Sequence, residues 1–387
     1  MEWIDLNELL PWLFITCGTL LLIQLLYYCL IYNKIFRHSR NNDTPDKNYN
    51  YPPLSVIIVT KDAGSQLEQN LPAILSQDYP EFEVIVVNDQ SAGEDEDILK
   101  RMDTQYPNLY HTFIPKTARY VSRKKLGIAM GIRASRHEWV VMTNPNCKPD
   151  SNQWLRKMAE NFTPGTDVVL GYTGYVSQKG SFARKVIYNS TLHAMRFLGQ
   201  ALCGMPYMGN GNNLAYRKSA YQSHKGFSHH LNLKGGEDDL LVNELANKNN
   251  TRVECSAESI VRIPVPKYKR IWLEEQVNLL VTGKYYKGFN RLLNGLETFS
   301  RIFFLLSLYC CIVVSILLQQ WILLGIAILT GLIRLAIQAY TFVMHAKTMK
   351  ESNFCFWLPL YDWLQPLWSL SVRLHYLFRN KTDFLRK

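Results

Sequence analysis

The chain has 387 residues, and its 43 Lys and Arg against 32 Asp and Glu give a formal net charge of +11. With 47% hydrophobic and 19% charged residues, it is too apolar and too weakly charged for an intrinsically disordered chain. The apolar residues concentrate near the two ends, which excludes a wholly soluble protein, and the length allows roughly two or three domains.

The first element is an apolar segment without any charged residue, from Leu9 to Tyr32. Because about 20 such residues in a helix cross the hydrocarbon core of a bilayer, the segment predicts a transmembrane helix over 9–33. The residues before it, 1–8, form a short external N-terminus in this interpretation. A cleaved signal peptide fits less well, since the preceding charges are acidic and no small-x-small cleavage site follows. A polar linker is expected over 34–52.

The middle of the chain, 53–290, alternates β-branched runs of buried-strand length with segments of helical spacing. The predicted elements are strands Leu54–Thr60, Glu83–Asn88 and Trp139–Thr143, and helices Gln66–Gln77, Ile98–Tyr106 and Lys124–Arg136. Strands that alternate with helices form right-handed crossovers, so this region predicts an α/β domain with a mostly parallel sheet.

Polar residues follow each predicted strand, in the segments Thr60–Asp62, Asn88–Ser91 and Thr143–Cys147. Ligands bind at the carboxyl ends of the strands in parallel sheets, so these segments predict a binding site at one edge. Asp and Asn also initiate turns, which is the simpler explanation for any one strand end.

A second apolar block runs over 302–345 and is interrupted by Gln319 and Gln320, which predicts a transmembrane hairpin of two helices. A third block, 354–378, mixes Trp and Leu with charged residues and prolines. It is expected to be an amphipathic interfacial helix or a third membrane segment in the C-terminal region.

Lys and Arg residues indicate the orientation of the membrane helices. Lys34 and Arg37 follow the first helix, and Lys347 and Lys350 follow the hairpin, so the middle domain is expected to be cytoplasmic, at a bacterial inner membrane. Basic residues form no run with interleaved aromatics. The lipid bilayer is therefore an expected partner and nucleic acid is not.

Several motifs occur in a fixed order along the middle domain. They are Val56–Asp62, Val86–Ser91, Lys124-Lys125 with Gly131, Gly209–Tyr216 and Gly235–Leu240. Together they resemble the motifs of the membrane-bound family 2 glycosyltransferases, over roughly residues 53 to 290. The resemblance implies a GT-A nucleotide-sugar-binding fold and inverting transfer of a sugar to a surface-glycan or lipid-linked acceptor.

The resemblance also implies roles for individual residues. Asp238, with Glu237 beside it, is the candidate catalytic base, and Gly209, Asn210 and Gly211 form the acceptor side. The candidate nucleotide-binding residues are Thr60, Asp62, Asp89, Lys124 and Lys125. A carboxylate such as Asp89 accepts from a pyrimidine N–H, which indicates UDP or another pyrimidine nucleotide as the carrier of the donor sugar. The two lysines are expected to neutralise the diphosphate.

Two departures from the family pattern affect these expectations. Asn144-Pro145-Asn146 stands where the family has the Asp-x-Asp that binds Mg²⁺ or Mn²⁺, and both ions favour charged oxygen ligands. The Q-x-x-R-W segment is also incomplete. Gln276–Leu280 keeps only its glutamine, and Arg270–Trp272 has Lys267 at the glutamine position.

Two hypotheses therefore remain from the sequence. One is an active membrane-anchored glycosyltransferase with an altered metal site. The other is a catalytically silent relative that acts as a scaffold or as a nucleotide-binding partner of another membrane enzyme. The intact Glu237-Asp238 motif favours the first, and the paired amides favour the second.

Overall fold

A computed structural model describes residues 6–40, 49–89, 94–115, 117, 122–351 and 355–378. The strands are β1 Leu54–Thr60, β2 Phe82–Asn88, β3 Leu109–Phe113, β4 Trp139–Thr143, β5 Lys148–Pro149, β6 Val168–Gly171, β7 Thr173–Tyr175, β8 Leu214–Arg217, β9 Thr251–Glu254 and β10 Val261–Ile263. The helices are α1 Leu6–Leu26, α2 Asn33–Arg40, α3 Gly64–Leu75, α4 Glu94–Asp103, α5 Arg123–Ala134, α6 Trp154–Ala159, α7 Ser181–Leu202, α8 Lys218–Ser223, α9 Asp239–Leu245, α10 Lys269–Thr282, α11 Asn290–Leu317, α12 Trp321–Thr348 and α13 Leu358–Leu377.

The described strands form a seven-stranded sheet in the order β3-β2-β1-β4-β8-β6-β9 and a small sheet in the order β5-β10-β7. In the large sheet β3, β2, β1 and β4 are parallel to their neighbours, as are β6 and β9. Only β8 runs antiparallel, between β4 and β6. The predicted α/β architecture with a mostly parallel sheet is confirmed, and β1 and β4 have the predicted bounds.

The large sheet is buried on both faces, as the β-branched composition of its strands predicts. Leu54, Val56 and Ile58 of β1 pack in one cluster with side chains of α3, α4 and α6. Ile57, on the opposite face, packs with α5 and α7. Gly131 of α5 permits close contact there, because a Cβ atom at this position would lie 2.6 Å from the Ile57 side chain.

Among the described residues, three helices are long and apolar enough to cross a membrane: the continuous helix Leu6–Arg40, which includes α1 and α2, and the helices α11 and α12. A short turn joins α11 to α12, and Gln319 adopts a left-handed conformation there (φ 55°), at the predicted break of the hairpin. The Gln24 side chain of α1 donates to Ser300 Oγ of α11 at 2.7 Å. Polar contacts between helices are expected where lipid offers no alternative partner.

The first helix continues to Arg40, beyond the predicted end at residue 33 and into the predicted linker. The reason is packing: Ile35 is fully buried in the cluster that contains Tyr188 of α7, and His38 Nε2 lies 3.0 Å from the Val253 carbonyl oxygen. The part of the predicted linker over 41–48 lies outside the described residues.

The third apolar block forms the single helix α13. Its Asp362 carboxylate is buried and accepts hydrogen bonds from Arg334 and, at 2.9 Å, from Gln338, both on α12. A buried ion pair between two helices holds them in one relative position. The interfacial or membrane-spanning placement of 354–378 stays a prediction.

Candidate active site

A cavity of about 570 Å³ opens at the carboxyl edge of the large sheet. Lys61 and Ala63 line it after β1, and Asn144 to Asn146 line it after β4. The remaining walls come from the turn before β8, the segment before α9, and the helices α7 and α10. The cavity therefore lies where parallel sheets generally bind ligands.

The cavity brings together seven of the residues predicted from the sequence. They are Lys124, Asn144, Asn146, Gly209, Asn210, Glu237 and Asp238. The other five do not line it: Thr60, Asp62, Asp89, Lys125 and Gly211. The acidic segment, the glycine turn and one of the two lysines therefore share a single space, although up to about a hundred residues separate them in the chain.

Glu237 and Asp238 reach the cavity because the chain turns sharply before them. Gly236 has a left-handed conformation (φ 89°), and a Cβ atom there would lie 2.5 Å from Leu240. The Asp238 carboxylate accepts hydrogen bonds from the backbone N–H of Gly211 at 2.8 Å and of Asp239 at 2.9 Å. Asp238 is therefore the N-cap of α9, and Gly211 orients its carboxylate rather than facing the cavity.

Lys124 forms an ion pair with Glu237, with Nζ 2.9 Å from Oε1. Burial alone would lower the pKa of Lys124, but the charges of Glu237 and Asp238 outweigh it and raise that pKa. Burial would raise the pKa of Glu237, whereas the Lys124 ammonium lowers it. Burial and the charge of Glu237 together raise the pKa of Asp238. The pKa values of the two carboxyl groups are thus shifted in opposite directions, as in active sites that use one of two carboxyl groups as a base.

Asp239 also lines the cavity, but it is buried and belongs to a different set of contacts. Its carboxylate accepts from Thr282 Oγ1 and from the Tyr286 hydroxyl, the latter at 2.8 Å. Burial and the neighbouring Asp238 raise the pKa of Asp239 to about 7. Thr282 and Tyr286 therefore fix the turn that carries Asp238 and Asp239.

The raised pKa of Asp239 predicts a pH dependence of stability. The folded protein binds this proton more tightly than the unfolded chain, so the stabilising contribution is full below about pH 4 and is lost as the pH rises to about 7. We expect the Tm of the wild type in detergent to fall across this window by roughly 5 °C more than that of Asp239→Asn. An equal change of Tm with pH in the two proteins would contradict the raised pKa of Asp239.

Lys125 does not face the diphosphate position that the sequence suggested. Its buried ammonium donates to the carbonyl oxygens of His230 at 2.6 Å and Leu233 at 3.0 Å, and burial lowers its pKa to about 8. It therefore holds the loop that leads into Gly235. Adjacent residues of a helix point in different directions, so only Lys124 of the pair reaches the cavity.

The predicted nucleotide-binding residues at the ends of β1 and β2 form a layer next to the cavity. Thr60 Oγ1 donates to Asp95 at 2.8 Å, and Asp95 also accepts from the Ala63 backbone N–H at 3.0 Å. Asp95 therefore shapes the turn after β1, where Asp62 is exposed in a left-handed conformation (φ 48°). The sequence shows the acidic residues in the first turn of α4, but it does not indicate which of them points inward.

Asp89 is buried and carries two cationic neighbours. Arg123 forms an ion pair with its carboxylate, and Lys61 Nζ lies 3.6 Å from Oδ2. Its backbone N–H donates to the Thr60 carbonyl oxygen at 2.8 Å. Asp89 thereby links the ends of β1 and β2 to the start of α5, and Arg123 is a site residue that the lysine-centred motif did not indicate.

Residues 55–224 match the model of the glycosyl transferase family 2. This stretch is a family 2 glycosyltransferase domain. The mannosyltransferase PcManGT from Pyrobaculum calidifontis, in complex with GDP-Man and Mn²⁺, is 18% identical, with a TM-score of 0.55 over 87% of this chain and 98% of that one. At this identity the match shows a shared fold, and the predicted family and GT-A fold are confirmed.

Staphylococcus aureus TarS 1–349 is a more distant structural match. Its complex with UDP is 17% identical, with a TM-score of 0.42 over 63% of this chain and 69% of that one. Its complex with UDP-GlcNAc is 15% identical, with a TM-score of 0.43 over 77% and 89% of the two chains.

The segment from Asn144 to Asn146, where the family resemblance predicts a metal site, carries neutral amide side chains. Asn144 Nδ2 donates to Asn212 Oδ1 at 2.5 Å, and Asn70 donates to the Pro145 carbonyl oxygen at 3.0 Å. In the described ranges no group of three or more His, Cys, Asp or Glu side chains is arranged to hold a metal ion. Since Mg²⁺ and Mn²⁺ favour charged oxygens, these residues do not fit either ion.

Two further helices, α7 and α10, also line the cavity. Trp272, Glu275 and Gln276 belong to α10, and Asn189 and His193 belong to α7. Desolvation in the cavity wall raises the pKa of Glu275 to about 7, while burial and Arg196 lower the pKa of His193 to about 4. The incomplete Q-x-x-R-W segment lies in one of these helices, α10, and nothing in the sequence singled out α7.

Proposed function

We propose that this chain is a membrane-anchored, inverting glycosyltransferase that moves a sugar from a nucleotide sugar to an acceptor hydroxyl. One observation carries the proposal: Asp238 and Lys124 face the same cavity, and Glu237 lies between them. A general base and a fixed positive charge are the two groups that this transfer requires from a protein.

Asp238 is the base in this proposal. Its carboxylate takes the proton of the acceptor hydroxyl as that oxygen bonds to the anomeric carbon, and the bond from that carbon to the diphosphate oxygen breaks. The hydrogen bonds from Gly211 and Asp239 hold the carboxylate in one orientation, so no rotation precedes the proton transfer. Its raised pKa makes it a better proton acceptor than an ordinary aspartate.

Lys124 stabilises the departing diphosphate. Its raised pKa keeps the ammonium charged at neutral pH, and Glu237 holds it on the cavity wall. Lys61 is the second of the described lysines that line the same cavity. A positioned ammonium is a strong partner for phosphate oxygens. It supplies the positive charge that a metal ion would otherwise bring, because the amides at 144 and 146 do not fit a metal ion.

Asp89, together with Arg123 and Lys61, is proposed to hold a pyrimidine nucleotide. We expect UDP to raise the Tm of the full-length protein in detergent more than GDP does, equally with Mn²⁺ and with a chelator. Asp89→Ala should need a roughly ten-fold higher UDP concentration for the same Tm shift, because the substitution removes a buried charged acceptor. Asp97→Ala, an exposed aspartate on α4, is the matched control and should behave as the wild type.

Two results would contradict this nucleotide assignment. A larger Tm shift with GDP than with UDP would exclude the pyrimidine preference. An unchanged UDP response of Asp89→Ala would remove Asp89 from the nucleotide site.

A silent scaffold is the second candidate function, and the specific observation in its favour is the pair of amides at 144 and 146. Such a protein would bind a nucleotide or a partner enzyme at the same cavity without transferring a sugar. A substitution of Asp238 distinguishes the enzyme from the scaffold, because a scaffold does not need Asp238 to accept a proton.

The family 2 domain is proposed to lie on the cytoplasmic side of a bacterial inner membrane. Lys34 and Arg37 after the first apolar segment, and Lys347 and Lys350 after the hairpin, support this orientation. The acceptor is proposed to be a surface glycan or a lipid-linked sugar. A lipid-linked acceptor agrees with the contact between the C-terminal helix α13 and the turn that follows α10, where Lys284 Nζ donates to the Tyr376 hydroxyl at 2.7 Å.

A further inference from the structure

A cluster of basic and aromatic side chains lies outside the cavity, where α7 and α10 meet the C-terminal helices. It consists of Arg184, Lys185 and Lys269 with Trp272, Trp357 and Trp368, and we call it the basic–aromatic cluster. Lys185 Nζ lies 4.3 Å from the ring centroid of Trp272 and 4.7 Å from that of Trp368. Arg184 Cζ lies 4.6 Å from the ring centroid of Trp357.

The positive charge of this cluster is not neutralised by the protein. Within the described ranges, none of its three cations has a carboxylate partner within 4 Å, whereas the neighbouring Arg270 pairs with Glu274 at 3.5 Å. No acidic residue occupies the first turn of α7 or of α10. Lys269 lies three residues before Trp272 on α10 and therefore on the same face of that helix, and burial and the charge of Lys269 both lower the pKa of Lys185.

Two of the three cations, Arg184 and Lys185, are also held in place. The faces of Trp272 and Trp368 enclose the Lys185 ammonium, and Arg184 Nε lies 3.3 Å from the Tyr361 hydroxyl as well as stacking on Trp357. Cation–π contacts fix an ammonium or guanidinium but leave its charge intact. Crowded and immobilised cations without counter-charges form a site for an anion.

The position of the cluster indicates which anion this is. Helix α13, which carries Tyr361 and Trp368, also exposes a row of apolar side chains: Leu360, Trp363, Leu367, Leu370 and Leu374. Tryptophan and basic residues beside such an apolar surface are typical of the headgroup level of a membrane. Trp272 belongs both to the cluster and to the cavity wall, so the cluster adjoins the proposed transfer site.

We propose that the basic–aromatic cluster binds the phosphate group of a membrane lipid at the rim of the cavity. The phosphate contacts Arg184, Lys185 and Lys269, and the lipid chain lies along the exposed face of α13. Two sources share this chemistry: an anionic phospholipid of the bilayer, or the phosphate of a lipid-linked acceptor whose sugar enters the cavity past Trp272. The second source rests on the proposed glycosyl transfer, and the phosphate site itself does not.

The test measures the Tm of the full-length protein in neutral detergent, titrated with a polyisoprenyl phosphate, with phosphatidylglycerol, or with the corresponding polyisoprenol. We expect the phosphate-bearing lipids to raise the Tm and the polyisoprenol to have no effect. Arg184→Gln with Lys185→Gln should weaken this binding by roughly ten-fold or more, and the exposed Lys269→Gln alone by roughly three- to five-fold. Lys347→Gln with Lys350→Gln is the matched control and should bind like the wild type.

The outcomes separate the lipid sources. Stabilisation by the polyisoprenyl phosphate alone identifies a lipid-linked acceptor, and equal stabilisation by phosphatidylglycerol identifies a bilayer headgroup. An equal response to polyisoprenol, or unchanged binding by the Arg184 and Lys185 variant, overturns the proposal. If that variant does not fold, unchanged binding by Lys269→Gln overturns it instead.

UDP binding, measured on the same preparations, separates this inference from the proposed function. A normal UDP response without any lipid response refutes only the phosphate site. A lipid response in a protein that neither binds a nucleotide nor transfers sugar refutes only the glycosyltransferase.

Discussion

Asp238→Asn is expected to lower the rate of sugar transfer by roughly 10²- to 10⁴-fold, the contribution that a general base typically makes. The substitution removes the proton acceptor but keeps the shape of the side chain. The asparagine oxygen still accepts a backbone hydrogen bond at the start of α9, where Asp238 is the N-cap, so the fold and nucleotide binding should remain intact.

The measurement is complementation of a deletion strain, together with transfer in purified membranes at saturating donor. Asp97→Asn makes the same chemical change at an exposed position on α4 and should complement fully. UDP-induced stabilisation of Asp238→Asn shows that the variant is folded. Full complementation by Asp238→Asn would contradict the enzyme and support the scaffold, because no inverting transfer keeps its full rate without its base.

Asn144→Asp with Asn146→Asp has the second large expected effect, on nucleotide binding. Two carboxylates at the end of β4 would face the diphosphate without a metal to offset them, so we expect UDP affinity in a chelator to fall by roughly 1 to 3 kcal/mol, which is roughly 5- to 150-fold. The Asn212 amide, which now accepts from Asn144, can rotate to donate to the new carboxylate. Adding Mn²⁺ should restore binding to this variant, because charged oxygens are the ligands that the ion favours.

The wild type is the first control, since its UDP affinity should be the same with Mn²⁺ and with a chelator. Asn247→Asp with Asn249→Asp adds the same two charges at exposed positions that do not line the cavity and should leave UDP binding unchanged. If Mn²⁺ strengthens UDP binding to the wild type, the neutral ligand set does bind a metal and the role given to Lys124 is wrong.

Strands β1 and β4 and the hairpin break at Gln319 could be predicted because each follows from local composition. A run of β-branched residues favours a strand that is covered on both faces of a parallel sheet. An apolar block with one polar interruption favours two helices in a bilayer. Lys124, Asn144 and Asp238 were predicted from the family motifs that they resemble. Of the three, Asn144 also directly follows a predicted strand, and the carboxyl edge of a parallel sheet collects such ends.

The remaining site residues depend on contacts between distant parts of the chain. The sequence places Lys124 and Lys125 side by side with identical chemistry, but only the fold puts one ammonium on Glu237 and the other on the carbonyl groups of a loop. Likewise, no local pattern marks Asp239 as the partner of Tyr286, or Trp272 as the neighbour of Lys185.

The sequence by itself therefore determined the α/β domain, the helices that are apolar enough to span a membrane, the family resemblance and the amides at 144 and 146. Those properties depend on residue type and periodicity, which can be read one segment at a time. Only the tertiary structure decided which acid pairs with Lys124, which of the two lysines lines the cavity and where the cations of the basic–aromatic cluster meet α13. Direction, burial and charge pairing are set by packing between elements far apart in the chain, and short-range patterns carry no information about them.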